Sequence, residues 1–264
     1  HRGDAPLLLS MPHSGLTLAG LEPRLHSPWR ARKDADWHIP ELYAFARSLG
    51  ATVVRTTMSR TVIDVNRDPS GQSLYPGQAT TGLCPTTTFD GEPLYLDYAA
   101  PSDQEIAQRR VTWFDPYHAA LHAEAARLRG LHPRVVVYDC HSIRSQVPRL
   151  FDGLLPQFNV GTYDGRSCDP RLSGEIASHC AVSGFSHVVN GRFRGGYITR
   201  SLGDPANGIH AVQMELSCRG YLREPVPEVD PVNWPAPFDA DFAEPLQRVL
   251  ARVLHGCVEF ATRP

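Results

Sequence analysis

Residues 7–15, LLLSMPHSG, and residues 135–142, VVVYDCHS, decide the reading of this chain. Each is a short apolar run followed within a few residues by a histidine, His13 in the first and His141 in the second. In an α/β sheet such runs are buried strands. The residues just past the carboxyl ends of such strands gather at one edge, where α/β proteins build their sites. The two imidazoles can meet at that edge, and imidazoles paired in a polar cleft point to a metal.

Outward from these runs, strand-like and helix-like segments alternate, the pattern of a sheet covered on both faces. From Pro40, suited to a first helical turn, ELYAFARSL carries apolar residues at Leu42, Phe45, Ala46 and Leu49, and Gly50 stops it. ATVV (51–54) reads as the second strand and TVIDV (61–65) as another candidate. Asp115 and Pro116 start a helix through YHAALHAEAARLR, which Gly130 and Pro133 end ahead of VVVY. PRLSGEIASHCAVSG (170–184) gives a helix that leads into FSHVV (185–189). In GIHAVQMEL (208–216), Val212, Met214 and Leu216 share one face of a strand, and Gln213 and Glu215 the other. FAEPLQRVLARVLHGCVEF (242–260) is an amphipathic helix that packs Phe242, Leu246, Val249, Leu250 and Val253 on the sheet.

Residues 68–105 are rich in Gly, Pro and Thr with little periodicity, and so long a loop reads as a lid or a cleft wall. The expectation is a single α/β domain over 1–264. Pro225 to Pro237 is the best linker candidate, although only a helix follows it.

A composition with 42% hydrophobic and 20% charged residues is enough to fill a substantial core. The formal net charge of −2 gives no electrostatic reason to expect nucleic acid or an anionic membrane as partner, so a small-molecule substrate fits better. No apolar stretch reaches the ~18 residues of a membrane span, and the first residues lack a signal-peptide pattern. The six cysteines are scattered without a CxxC pair. Reduced thiols in a cytoplasm are expected, and any metal is bound through nitrogen and oxygen.

Asp139, beside His141, is placed to orient that imidazole from behind. Zinc needs a third protein ligand, and Asp36 in DADWH (34–38) is the candidate, with Asp34 and His38 as rivals. The alternative for all three is helix capping and a solvated turn. In SRTVIDVNR (59–67), Arg60, Asn66 and Arg67 supply two guanidinium forks and an amide, which suit an anionic substrate; a surface salt-bridge cluster is the other reading. Glu215 stands in the middle of its strand, where a carboxylate is costly to bury without a partner such as metal-bound water; an exposed edge strand is the alternative. His118 and His122 have helical metal spacing but lack the glutamate of HExxH, and read as an ordinary helix face. Gly195 and Gly196 in RFRGGYITR (192–200) could form an anion-accepting turn. The chain has no Walker or Rossmann glycine pattern and no GxSxG elbow.

Six ordered segments carry a resemblance: PHSG, DADWHIPELYAFARSLGA, SRTVIDVNR, DCHSIRSQVPRLFDG, FRGGYITRSLGDP and HAVQMELSCRGYL. Across them the chain resembles the N-formylglutamate amidohydrolase (deformylase) family, which is similar in fold and site layout to aspartoacylases and zinc carboxypeptidases. The resemblance implies an α/β domain with a mixed sheet flanked by helices, phosphorylase/hydrolase-like in kind, and one Zn2+ or other divalent metal. It also implies hydrolysis of N-formyl-L-glutamate to formate and L-glutamate, at the end of a histidine-degradation route.

By position, the resemblance makes His13 and His141 metal ligands, Asn66 and Arg67 the substrate-carboxylate pair, and Glu215 the general base. The carboxypeptidase-like pattern has a glutamate ligand where this chain has Leu16, so the third ligand comes from elsewhere, with Asp36 the expectation. Arg60 is expected to stabilise the developing oxyanion. Arg200, or else Arg144, is expected to hold the second carboxylate. A zinc hydrolase of another N-acyl amino acid and a non-catalytic binder of an acidic ligand are the competing readings.

Overall fold

Six strands form one sheet, in the order β2 (Thr52–Arg55), β1 (Leu7–Met11), β3 (Val135–Ile143), β6 (Ile209–Ser217), β4 (Phe158–Gly161) and β5 (His187–Val189). The first four run parallel, β4 pairs antiparallel with β6, and β5 lies parallel to β4, so the sheet is mixed. The computed structural model describes residues 1–225 and 228–263.

Period-two alternation sorts the side chains of the central strands into two sets. Leu7, Leu9, Met11, Val136, Tyr138, Cys140, Val212, Met214 and Leu216 face one core. Against them pack α2 (Ile39–Leu42), α5 (Pro170–Ala181) and α7 (Ala240–Thr262). On the opposite face, Leu8, Val135, Val137 and Ala211 meet α4 (Asp115–Leu131) and α6 (Tyr197–Leu202). That second face changes character along the strands. Its carboxyl half carries Ser10, Asp139, His141, Gln213 and Glu215, all buried and all polar. The remaining helices, α1 (Pro28–Arg32) and α3 (Asp103–Arg109), lie in the connections on either side of β2.

Most expected elements form, with physical reasons for the departures. The segment from Pro40 to Leu49 is not one helix: α2 stops at Leu42, and a 3-10 turn covers Ala44–Leu49, closed by Gly50 at φ 71°. Three residues per turn stack Tyr43, Ala46 and Leu49 on one line toward the core, which an α-helix would fan apart. TVIDV is not a strand. Its backbone turns instead, Val62 N–H donating to Ser59 O and Arg67 N–H to Asp64 O. Its apolar side chains also diverge, Val62 entering one cluster and Ile63 and Val65 another.

The helix expected from Asp115 forms as α4 and continues a helical run that begins earlier. Ser102 caps α3 by accepting from Glu105 N–H, and a π-helical segment at Arg110–Phe114 joins α3 to α4. The linker candidate from Pro225 to Pro237 includes residues 226–227, which lie outside the described residues. Its later part packs on the molecule: Trp234 is buried, its Nε1 donates to Lys33 O, and its carbonyl accepts from Trp29 Nε1. That is no spacer.

Candidate active site

His13 lies two residues past β1, in a loop pressed against the chain at 57–58. A Cβ on Gly15 would sit 2.3 Å from Met58 O, so only glycine allows this approach. His141 is not past a strand end, as the sequence suggested, but inside β3 and in register with Glu215 of β6. Strand pairing therefore sets these two side chains next to each other on the polar half of the sheet. The His13 and His141 rings lie 4.8 Å apart between centroids.

Asp36 stands between the imidazoles. Its Oδ2 is 3.2 Å from His141 Nδ1 and 3.7 Å from His13 Nδ1, and the candidate ligand atoms of the three residues all fall within 4.8 Å of one another. The opposite ring nitrogens are tied back: His13 Nε2 donates to Asp64 Oδ1 at 2.7 Å and His141 Nε2 to Asp139 Oδ2 at 2.8 Å. Carboxylates behind both rings turn both Nδ1 atoms toward Asp36, the usual outer-shell support of a metal-binding histidine. Asp36 Oδ1 is buried with no hydrogen-bond partner, so the group has donor capacity left for a cation. An all-nitrogen-and-oxygen set of this kind fits zinc or a similar divalent ion.

Of the three rivals for third ligand, only Asp36 joins the group. Asp34 accepts from Phe89 N–H at 2.6 Å and from Arg144, anchoring the long loop. His38 begins α2 in the left-handed region, and its Nε2 meets Ala236 O at 3.2 Å.

Burial, and then Arg60 beside it, lower the His13 pKa below its ordinary 6.5, leaving the neutral form that a ligand requires. For His141 burial acts in the same direction, but Asp139 and Asp36 outweigh it and push the pKa well above 6.5. Burial works against the charge on Asp64 too, yet His13, Arg67 and Arg60 hold its pKa well below 3.8. Arg60 Nη2 donates to Asp64 Oδ2 at 2.6 Å, and its Nη1 lies 3.4 Å from His13 Nδ1. Glu215 is buried and accepts from Gln213 Nε2 at 3.0 Å; desolvation pushes its pKa up to about 7. A carboxyl that takes up and gives back a proton near neutrality suits general acid–base work.

His13, Arg60, Arg67, His141 and Glu215 line one cavity. The 68–105 segment supplies part of its wall through Tyr75, Thr81 and Phe89, as a cleft wall should. Arg67 Nε and Nη2 donate to Thr81 O and Oγ1. Asn66 also lines the cavity, but its side chain is committed. Nδ2 donates to Asp139 Oδ2 at 3.2 Å and lies 2.9 Å from His141 Nε2, and Oδ1 accepts from Ile198 N–H.

Neither Arg200 nor Arg144 lines the cavity. Arg200 donates to Gly195 O and stacks on Tyr75 and Tyr163, and Arg144 pairs with Asp34 and Asp90. The cavity instead contains Arg192, which sequence reasoning passed over. It stands in the same RFRGGYITR segment that drew notice for its glycines, with nothing to mark it among the three arginines there. Gly195 and Gly196 do not form an anion-accepting turn. Gly196 N–H donates to Gln213 Oε1 at 2.7 Å, and a Cβ there would lie 2.5 Å from Asn66 Nδ2. His118 is an ordinary buried histidine, bonded to Val65 O and stacked on Phe114, and His122 is exposed.

Hydrolysis of an amide carried by an anion is the chemistry this layout suits, since imidazoles, a proton-exchanging carboxyl and guanidiniums share one cavity. The family model of N-formylglutamate amidohydrolase matches residues 5–222. Two relatives called N-formylglutamate deformylase are similar to nearly the whole chain. The one from Pseudomonas putida is 48% identical over 96% of this chain and 92% of its own length. That from Pseudomonas aeruginosa is 45% identical, with the same coverage. Among solved structures, an N-formylglutamate amidohydrolase from Ralstonia eutropha JMP134 superposes with a TM-score of 0.79 at 23% identity, covering 98% of this chain and 94% of its own. A gene product from Agrobacterium tumefaciens gives 0.67 at 16% identity, over 98% and 91%. The chain belongs to the N-formylglutamate amidohydrolase family.

Proposed function

We propose that the protein hydrolyses N-formyl-L-glutamate to formate and L-glutamate with the help of one divalent metal, most simply zinc. The observation that carries this reading is that His13 and His141, which share Asp36 between them, open with Glu215 into one arginine-lined cavity. The names of the 45–48% identical relatives supply the substrate.

His13 Nδ1, His141 Nδ1 and an Asp36 oxygen would hold the metal, which when bound supplies a Lewis acid that polarises the amide and lowers the pKa of water toward ~7. Glu215 takes a proton from the attacking water on its carboxylate and returns it to the leaving amine nitrogen, so proton uptake and release share one group. Arg60 directs N–H groups at the formyl oxygen as negative charge grows there. Arg67 holds the α-carboxylate next to the scissile bond. Asn66, bonded to Asp139 and to the Ile198 backbone, braces His141 beside it.

The six free buried thiols support a reducing compartment such as the cytoplasm, where the reaction would end a histidine-degradation route. The test couples elemental analysis to formate release from N-formyl-L-glutamate, before and after chelation. Formate release that falls on chelation and returns with added zinc is expected. Undiminished release from metal-free protein overturns the metal, and release only from other N-acyl amino acids overturns the substrate.

A further inference from the structure

A substrate with two carboxylates needs two cationic receptors, since one guanidinium fork takes one carboxylate in bidentate fashion. Three arginines line the cavity, and they are not equivalent. Arg60 and Arg67 both lie beside Asp64, at 2.6 and 3.6 Å, and Asp64 in turn holds His13 at 2.7 Å. Both are thus tied to the end of the cavity where the imidazoles stand, and both already have a protein carboxylate.

Arg192 has none: it forms no ion pair among the described residues. Its Nε donates to Leu150 O at 2.7 Å and its Nη2 to Ala79 O at 3.0 Å, so backbone carbonyls of two loops fix the plane of the guanidinium. The rings of Tyr75 and Phe193 flank it at 5.5 and 5.4 Å. Its Nη1 makes no hydrogen bond among the described residues. Burial, with Arg67 as a like-charged neighbour, lowers its pKa from the ordinary arginine value. A positioned, partly desolvated cation with an unused donor and no counter-ion is poised for an anion. Ile143, Leu150 and Phe193 line the same cavity and offer apolar contact for a short methylene stem.

We propose that Arg192 selects the acidic side chain of the substrate, its Nη1 holding the distal carboxylate of the N-acyl amino acid while Arg67 holds the one beside the amide. The assignment rests on the reading of this cavity as an N-acyl amino acid site. It makes the enzyme selective for a side-chain carboxylate over its neutral isostere, the discrimination an unpaired charged receptor produces best.

The test compares N-formyl-L-glutamate with N-formyl-L-glutamine, which has the same shape but no distal charge, in wild type, Arg192→Met and Arg192→Lys. In Arg192→Met the ratio of kcat/KM values, glutamate over glutamine, should fall by about 30-fold or more, mainly through KM for glutamate. Arg192→Lys keeps the cation but not the fork, and its ratio should lie between the other two. A parallel loss on both substrates, leaving the ratio unchanged, overturns the proposal, because that marks a residue that only clamps the two loops. A calorimetric arm with glutarate and butyrate is independent of turnover. Wild type should bind glutarate more tightly than butyrate, and Arg192→Met should not; equal glutarate binding by both proteins overturns the assignment. If wild type releases no formate yet shows Arg192-dependent glutarate binding, the function proposed above fails and the selector stands.

Discussion

Asp64 joins three parts of the candidate site through one carboxylate, bonding His13 and Arg60 and approaching Arg67. It touches no substrate in the scheme above and acts by positioning. Asp64→Asn should weaken metal binding by about 10- to 100-fold, the usual cost of losing an outer-shell partner, as read by competition with a chelator. Glu215→Gln should do the opposite: metal content stays unchanged, and kcat drops by about 10²–10⁴, measured by formate release. His13, His141 and Glu215 were readable in the sequence because each interrupts or follows an apolar run with a costly polar group, whereas Asp36, in the polar segment DADWH, could not be told from Asp34 and His38 by spacing. Asp64 was not readable, since an aspartate in TVIDV looks like one more strand residue until the backbone is seen to turn around it. Arg192 was hidden for another reason. It lies in coil after β5, where no periodicity indicates which way a side chain points.

At the scale of elements, the patterns that survived are the apolar runs buried on both faces and the segments long enough to show a period. β1 and β3 are apolar runs, β6 alternates and α7 keeps the helical period, and each formed, with β3 running on through His141. The strand expected at 61–65 failed because its apolar residues serve more than one cluster, and α1, β4 and α6 went unread because they are too short to show a period. The closing helix shows how strongly a long period is enforced. Leu246, Leu250, Val253, Leu254 and Cys257 of α7 are fully buried against the sheet. Leu250→Ala should cost about 2–5 kcal/mol of stability, read from denaturant midpoints. The kcat of the folded fraction should not change, because this face of the sheet carries no site residue.

For the molecule as a whole, the connection from β2 to β3 both walls the cavity and carries an acid-sensitive anchor. Glu105 of α3 bonds Arg24 at 2.7 Å and Arg109 at 2.5 Å, and Arg109 reaches on to Val62 O beside the site loop. The hydrogen bond from Arg24, and then that from Arg109, outweigh desolvation and hold the Glu105 pKa to about 2 instead of 4.5. The unfolded chain takes up this proton at the higher pH, so the stabilisation is complete above about 4.5 and disappears as pH falls toward about 2. Glu105→Gln should therefore show a shallower loss of stability across that window than wild type, in urea midpoints measured along it.

The sorting of β6 has a further consequence. Met214 belongs to the core and Glu215 to the cavity, one residue apart on a ribbon whose neighbours are fixed in register. Inserting or deleting a single residue ahead of them would exchange their roles, sending the carboxyl into oil and the thioether over the imidazoles. Chemistry and solidity here are written in alternate letters of one word, so length can change only in the loops, and the strands must keep their spelling.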